Sequence, residues 1–444
     1  RASLPRCSPR TRGGAMLADR RHRTMRLLSG RGVCFVAFLV LGSTFKRGYE
    51  ELCWAAAGRR PGAPSRGPRR AAPLAARRFT DAVQGVGAAQ RMAGDRPRRL
   101  TLRIKQARSA AAVLRTLDDE MANLNAQHVS TALHQLASKR RDLTEGDVDS
   151  PIFTALVDRT ADLCRRRLCG AHEVMGVTWS IAKMRTEAPR LRELLPTVME
   201  AIPDLLSSMT AQQLATTCWA IATIYAHEPD AEVSRQLLSL GQTILGSLEA
   251  QVVAMKAQEV ANTVWSISMF QADSPQAARF TPVFADAAAR MLADEQHHMF
   301  DRTLRLLTDA RLLWGLAAVN HSDEHLVGLI ARDVLKRAPS ARGRDLYSLI
   351  DIVCALARLG FRDMRVLEVA VRRLSELRMH LLRDWDVCAL AWSLNRLCAA
   401  ELFEEFRGGL QREIARRRIP LSQVEESRFG PESWNPAAQM QSQG

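Results

Sequence analysis

The chain has 444 residues, enough for two or three ordinary domains or one long repeat array. Hydrophobic residues make up 47%, which allows a sizeable core and excludes a wholly unfolded chain. The formal charge is +16, but residues 1–100 hold 22 Lys and Arg against 5 Asp and Glu, whereas residues 101–444 hold 41 against 42. The body thus has no bulk positive excess, and any polyanion it holds must meet a local stripe.

Residues 1–100 read as a disordered basic leader. Arg20, Arg21, Arg23, Arg26 and Arg31 precede an apolar run, Val33 to Leu41. That run falls short of the ~20 residues a bilayer span needs, and a basic stretch before a short apolar one is signal-like. From 52 to 80 no acidic residue occurs, while Arg59, Arg60, Arg66, Arg69, Arg70, Arg77 and Arg78 are spread among Ala, Pro and Gly. This composition is transit-like and too poor in apolar residues to fold. A signal-like segment followed by a transit-like one resembles the bipartite leaders of proteins sent to complex plastids. The expectation is delivery to a plastid, or secondarily a mitochondrion, with cleavage of the leader and no stable membrane span in the mature chain. The alternative is a basic arm that itself touches nucleic acid.

From 101 to 419 the chain repeats. Aligned on tryptophan, Ala211–Ile224 and Ala257–Phe270 match at nearly every apolar and small position, and Ala171–Met184 gives a third copy, with Trp219, Trp265 and Trp179 as anchors. Weaker copies place His134, Trp314, Cys354 and Trp392 at the anchor, with Asp309 replacing an apolar residue before Trp314. Anchor spacings are 45, 40, 46, 49, 40 and 38 residues. Counting the anchor as zero, apolar residues recur at −5, −2, +2 and +5 and small ones at −4, +1 and +3. Spacings of three and four predict a helix with one apolar face. The Trp anchors, large and recurrent, are assigned to the core. Second amphipathic stretches lie between anchors, as at Val233–Leu248 and Val366–Leu374, and Pro229 and Gly360 mark turns. The fold class expected is all-α: an α-solenoid of about seven helical-hairpin repeats of 38–49 residues. A polar tail, 420–444, is expected to be disordered and is too short to form a domain.

The pattern Ala-Gln-x-[Leu/Val]-Ala-[Thr/Asn]-x-x-Trp-[Ala/Ser]-Ile-[Ala/Ser] resembles the octotricopeptide repeat and its relatives, the alveolate heptatricopeptide and FAST-kinase-like proteins. Leu359-Gly360-Phe361 is similar to the Leu-Gly-Tyr turn of that family. The resemblance covers roughly 121–400 and is strongest at Ala211–Ile224 and Ala257–Phe270. It implies a helical-hairpin array that binds single-stranded organellar RNA and governs transcript stability, processing or translation. The spacing departs from a strict 38-residue repeat, and the endonuclease-like RAP domain that ends many members has no counterpart in the tail, so cleavage is not implied.

The helix face assigned to solvent carries positions −7, −3 and +4. These are Gln127, His172, Gln212 and Gln258 at −7; Thr131, Thr216, Asn262, Arg311 and Asp351 at −3; and Lys183, Thr223, Arg358 and Arg396 at +4. Amide, hydroxyl and guanidinium groups, one set per repeat, suit recognition of unstacked bases and phosphates. A helix also needs a solvated face, which ordinary polar residues supply.

Nothing in the sequence points to catalysis, a cofactor or a metal. There is no Gly-rich phosphate loop. His321-Ser-Asp-Glu-His325 lacks the Glu beside the first His that a zinc protease needs. Cys164 and Cys169 have no second pair to complete a zinc site, while Cys218, Cys354 and Cys388 fall in apolar helical patterns, usage that fits a reducing compartment. Two functions remain: an organellar RNA-binding protein, or an armadillo- or HEAT-like scaffold for protein partners, which the near-neutral body favours.

Overall fold

A computed structural model describes residues 97–271, 273–293, 305–397 and 403–419. All regular structure among them is helical, without a strand. In chain order the helices are α1 (97–106), α2 (Ala110–Asp118), α3 (Ala126–Ser138), α4 (Glu145–Val148), α5 (Pro151–Arg165) and α6 (Ala171–Met184). Then come α7 (Leu195–Leu205), α8 (Ala211–Tyr225), α9 (Ala231–Glu249), α10 (Ala257–Phe270), α11 (Pro275–Ala278) and α12 (Thr281–Ala293). The last six are α13 (Arg305–Ala318), α14 (Glu324–Arg337), α15 (Arg344–Leu359), α16 (Met364–Leu374), α17 (Asp384–Arg396) and α18 (Glu404–Arg417). No helix among the described residues is long and apolar enough to cross a membrane.

Each anchor of the sequence frame lies on its own helix: α3, α6, α8, α10, α13, α15 and α17. These starts are written locally. Frame position −6 is the third residue of the helix, and its side chain turns back to accept from the N-cap amide in five of them. The acceptors are His128 Nδ1 (3.3 Å), Glu173 (3.1 Å), Gln213 (2.9 Å), Glu259 (2.8 Å) and Asp386 (3.1 Å). Asn125 and Thr210 complete the reciprocal half of the capping box through their own side-chain oxygens. The recurrent Gln or Glu after Ala-Gln in the repeat is therefore a helix-start signal. At the other end, Gly360 adopts φ 67° and closes α15, with its N–H donating to the Ala357 carbonyl and that of Phe361 to Leu356. Only glycine takes this left-handed turn without strain.

The anchor helices pack in succession: α3 on α6, then α8, α10, α13, α15 and α17, with α18 against the last. The intervening helices form a second row, in which α5 meets α7, α7 meets α9, and α12, α14 and α16 follow one another. The apolar frame positions face this second row. Leu214, Ile221, Val260, Ile267 and Phe270 are fully buried, as are Leu237, Ile244, Leu245 and Leu248 on α9. Each such side chain contributes about 1.5–3 kcal/mol of transfer free energy. Small residues let the first row close up. A Cβ on Gly315 would stand 2.8 Å from Val264 Cγ1 and 3.0 Å from the Val264 carbonyl carbon, so α13 lies directly against the backbone of α10.

The packed region starts earlier than the sequence boundary at 101. Residues 97–100 are already helical, Leu100 and Ile104 are buried, and His128 Nε2 lies 2.9 Å from the Pro97 carbonyl. The signal-like segment 33–41, the transit-like segment 52–80 and the tail 420–444 lie outside the described residues.

Candidate functional site: the tryptophan face

At about 100° per residue, positions −7, −3, 0 and +4 fall within about 60° of one another. The anchor residue and the polar row therefore share one face, opposite the apolar positions that meet the second row. The sequence assigned the Trp to the core and the polar row to solvent; the structure buries the Trp and also closes over much of the polar row. Trp179, Trp219, Trp265, Trp314 and Trp392 retain only 2–6% exposure, and the first four meet a ring or cation from an adjoining helix of the same row.

The rings and cations form a ladder. His134 stacks on Trp179 with centroids 4.6 Å apart and planes 19° apart. Lys183 Nζ sits 5.5 Å from the Trp179 ring and 5.0 Å from that of Trp219, bridging α6 and α8. Trp219 meets Trp265 at 6.2 Å and a 33° tilt. Arg358 on α15 lies 5.7 Å from the Trp314 ring on α13. Burial holds His134 neutral, lowering its pKa to about 3, with His172, Lys139, Lys105 and Lys183 adding to the effect. Burial also lowers the Arg358 guanidinium to about 10. Cations over indole faces are held by the ring quadrupole, so the ladder is a set of inter-repeat contacts before it is a ligand surface.

Position −3 makes a second buried row. Arg311 Nη1 donates to Asn262 Oδ1 at 2.7 Å, with both residues 2% exposed. Asp351, the equivalent residue on α15, is buried near the positive charges of Arg311 and Arg383 and the carboxylate of Asp386. Burial, reinforced by Asp386, pushes the Asp351 carboxyl up to about 7 against the two guanidinium groups. Arg383 donates to both oxygens of Asp386 at 2.6 and 2.8 Å. Thr223 spends its hydroxyl on the Trp219 carbonyl at 2.8 Å.

Seven of the thirteen expected contact residues are thus turned inward: Thr131, Lys183, Thr216, Thr223, Asn262, Arg311 and Asp351 are buried. The correction has one cause, which is that lateral neighbours in the first row cover a face that a helix alone would leave open. Gln127 and Arg396 are exposed, and His172, Gln212, Gln258 and Arg358 are half-buried. These six remain accessible.

Three groups of the same edge were missed. Arg140 and Arg185, both at +6, donate to the Ala137 and Ala182 carbonyls that end α3 and α6, at 3.3 and 3.1 Å. Arg185 also reaches His227 Nε2 at 3.3 Å, and burial together with Arg185 lowers His227 to about 3. Basic residues just past a helix end were the available signal, since they favour its negative pole. Elsewhere, Asp323 of the His321–His325 motif is the N-cap of α14, accepting from Leu326 N–H at 3.0 Å. His321 precedes the helix, so the two histidines do not share a helical turn. Among the described residues no group of three His, Cys, Asp or Glu is placed to hold a metal ion. No family model matches the chain, and no curated protein matches its sequence.

Proposed function

We propose that the chain is an RNA-binding α-solenoid of about seven helical-hairpin repeats of 38–49 residues, delivered to an organelle by its leader and acting there in post-transcriptional control. The observation that carries this is the recurrence of a cation at frame position +4 beside the anchor face: Lys183 and Arg358 over indole rings, and Arg396 exposed after Trp392. In such an array the buried ladder keeps successive repeats in register. Arg358 and Arg396 meet phosphates, while Gln127, His172, Gln212 and Gln258 stand near the helix starts as polar groups for base edges. The resemblance to octotricopeptide-like repeats supports the same function. So does the charge of the C-terminal part, where residues 305–419 carry 20 Lys and Arg against 15 Asp and Glu.

A protein scaffold is the second reading, favoured by the spending of the −3 row on internal pairing. Crosslinking of the full chain to single-stranded RNA, followed by affinity against salt, separates the two. The RNA proposal expects a crosslink and an affinity that falls as salt rises. It fails if no crosslink forms, if affinity is flat in salt, or if deleting the basic leader alone removes all binding.

A further inference from the structure

The turn between α5 and α6 holds two thiols together. Cys164, in the last turn of α5, and Cys169, just before α6, have their Sγ atoms 2.9 Å apart, with the residues 3% and 6% exposed. The backbone imposes this approach. Arg167 takes φ 56°, the Leu168 N–H donates to the Leu163 carbonyl at 2.9 Å, and the Arg167 N–H donates to the Cys164 carbonyl at 2.9 Å. Those two bonds wrap the helix end as a Schellman turn and bring residue 169 back over residue 164. The Arg167 side chain pairs with Asp204 in the last turn of α7, which ties the turn to the neighbouring hairpin.

We infer that Cys164 and Cys169 form a dithiol modification site that takes a low-molecular-weight disulfide and is converted to an internal disulfide. Closing the remaining gap to a covalent S–S bond of about 2.05 Å needs a small side-chain movement and no rearrangement of the turn. Other buried cysteines are placed differently: Cys218, Cys354 and Cys388 sit on anchor helices among apolar residues, and burial pushes Cys218 and Cys354 up to about 12. At the turn, the shared hydrogen bond favours ionisation of Cys164 and disfavours that of Cys169. The charge that faces the pair is Glu173, which raises both thiols, while the exposed Arg166 and Arg167 are paired with Asp162 and Asp204.

The chemistry balances as two exchanges. The Cys164 thiolate attacks one sulfur of the small disulfide, forming a mixed disulfide and expelling one small thiolate. Cys169 then gives up its proton to solvent and attacks Cys164 Sγ, expelling the second small thiolate. Two protein thiols are oxidised, and one small disulfide is reduced to two thiols. Access comes from local opening of the turn, whose residues 165–168 and 170 are exposed.

The test uses the full, folded chain, reduced and then equilibrated anaerobically with oxidised and reduced glutathione over a range of ratios. Alkylation and peptide mapping should show Cys164 and Cys169 losing reactivity together, with the peptide that spans them lighter by two hydrogens. Cys164→Ser and Cys169→Ser should each abolish that link. The inference is overturned if both thiols stay alkylatable at every ratio, if wild-type chain stops at a glutathione adduct, or if either cysteine links elsewhere.

Discussion

Arg311 on α13 donates to Asn262 on α10 at 2.7 Å, and the two residues occupy the same position, −3, in successive repeats. A position expected to face solvent instead joins one repeat to the next. Both side chains are 2% exposed, so the bond forms away from water, where a lost partner is costly.

Arg311→Ala should destabilise the chain by about 1–3 kcal/mol, the range for leaving the buried Asn262 amide without its partner. Asn262→Ala should cost about 1–3 kcal/mol. Urea unfolding of both single variants and the double variant gives the coupling. A coupling energy near zero would mean that the two side chains are neighbours without interacting.

Asp351 makes stability depend on pH in an unusual direction. Its folded carboxyl is raised to about 7 by burial and Asp386, above an unfolded value of about 4. The folded state therefore binds this proton more tightly than the unfolded state does. The stability from this group is complete below pH ~4 and is lost as pH rises toward 7. Asp351→Asn should remove that loss, flattening stability between pH 4 and 7 and raising it at pH 8, as read by urea midpoints at each pH. A steeper slope in the variant would contradict this assignment.

Gly315→Ala places a methyl group 2.8 Å from Val264 Cγ1 and 3.0 Å from the Val264 carbonyl carbon. Backbone cannot yield as a flexible side chain does, so α13 must move off α10. A loss of about 1–3 kcal/mol is expected, the range for overpacking a core. Unchanged thermal stability would show that the two helices can separate freely.

Arg396→Ala and Arg358→Ala test the proposed phosphate contacts. Each should weaken RNA binding by a similar factor for unrelated sequences and make the salt dependence shallower by about one counterion. Arg358→Ala should also lower stability by about 0.5–2 kcal/mol, because its guanidinium lies over Trp314. Filter binding at several salt concentrations reads the first effect and thermal unfolding the second. Equal affinity for wild type and Arg396→Ala would remove that residue from the interface.

Much of the helical organisation is legible in the sequence, because it is written in local chemistry. The three-and-four spacing of Leu214, Thr217, Ile221 and Ile224 sets a helix and its buried face. Gln213 and Glu259 start helices by accepting from their own N-cap amides, and Gly360 ends one through its left-handed φ. Each of these depends on residues a few positions apart. What the sequence could not decide is what lies beside the face that carries Trp219, Thr216 and Thr223. Periodicity states which side chains share a face, and polarity suggests that the face is wet. Whether it is wet depends on the neighbouring anchor helices, forty or so residues away in the chain. In the structure those neighbours close over it, Lys183 finds two indoles, and Arg311 finds Asn262. Polar groups can be buried there because tertiary packing supplies their partners, and only tertiary structure names them.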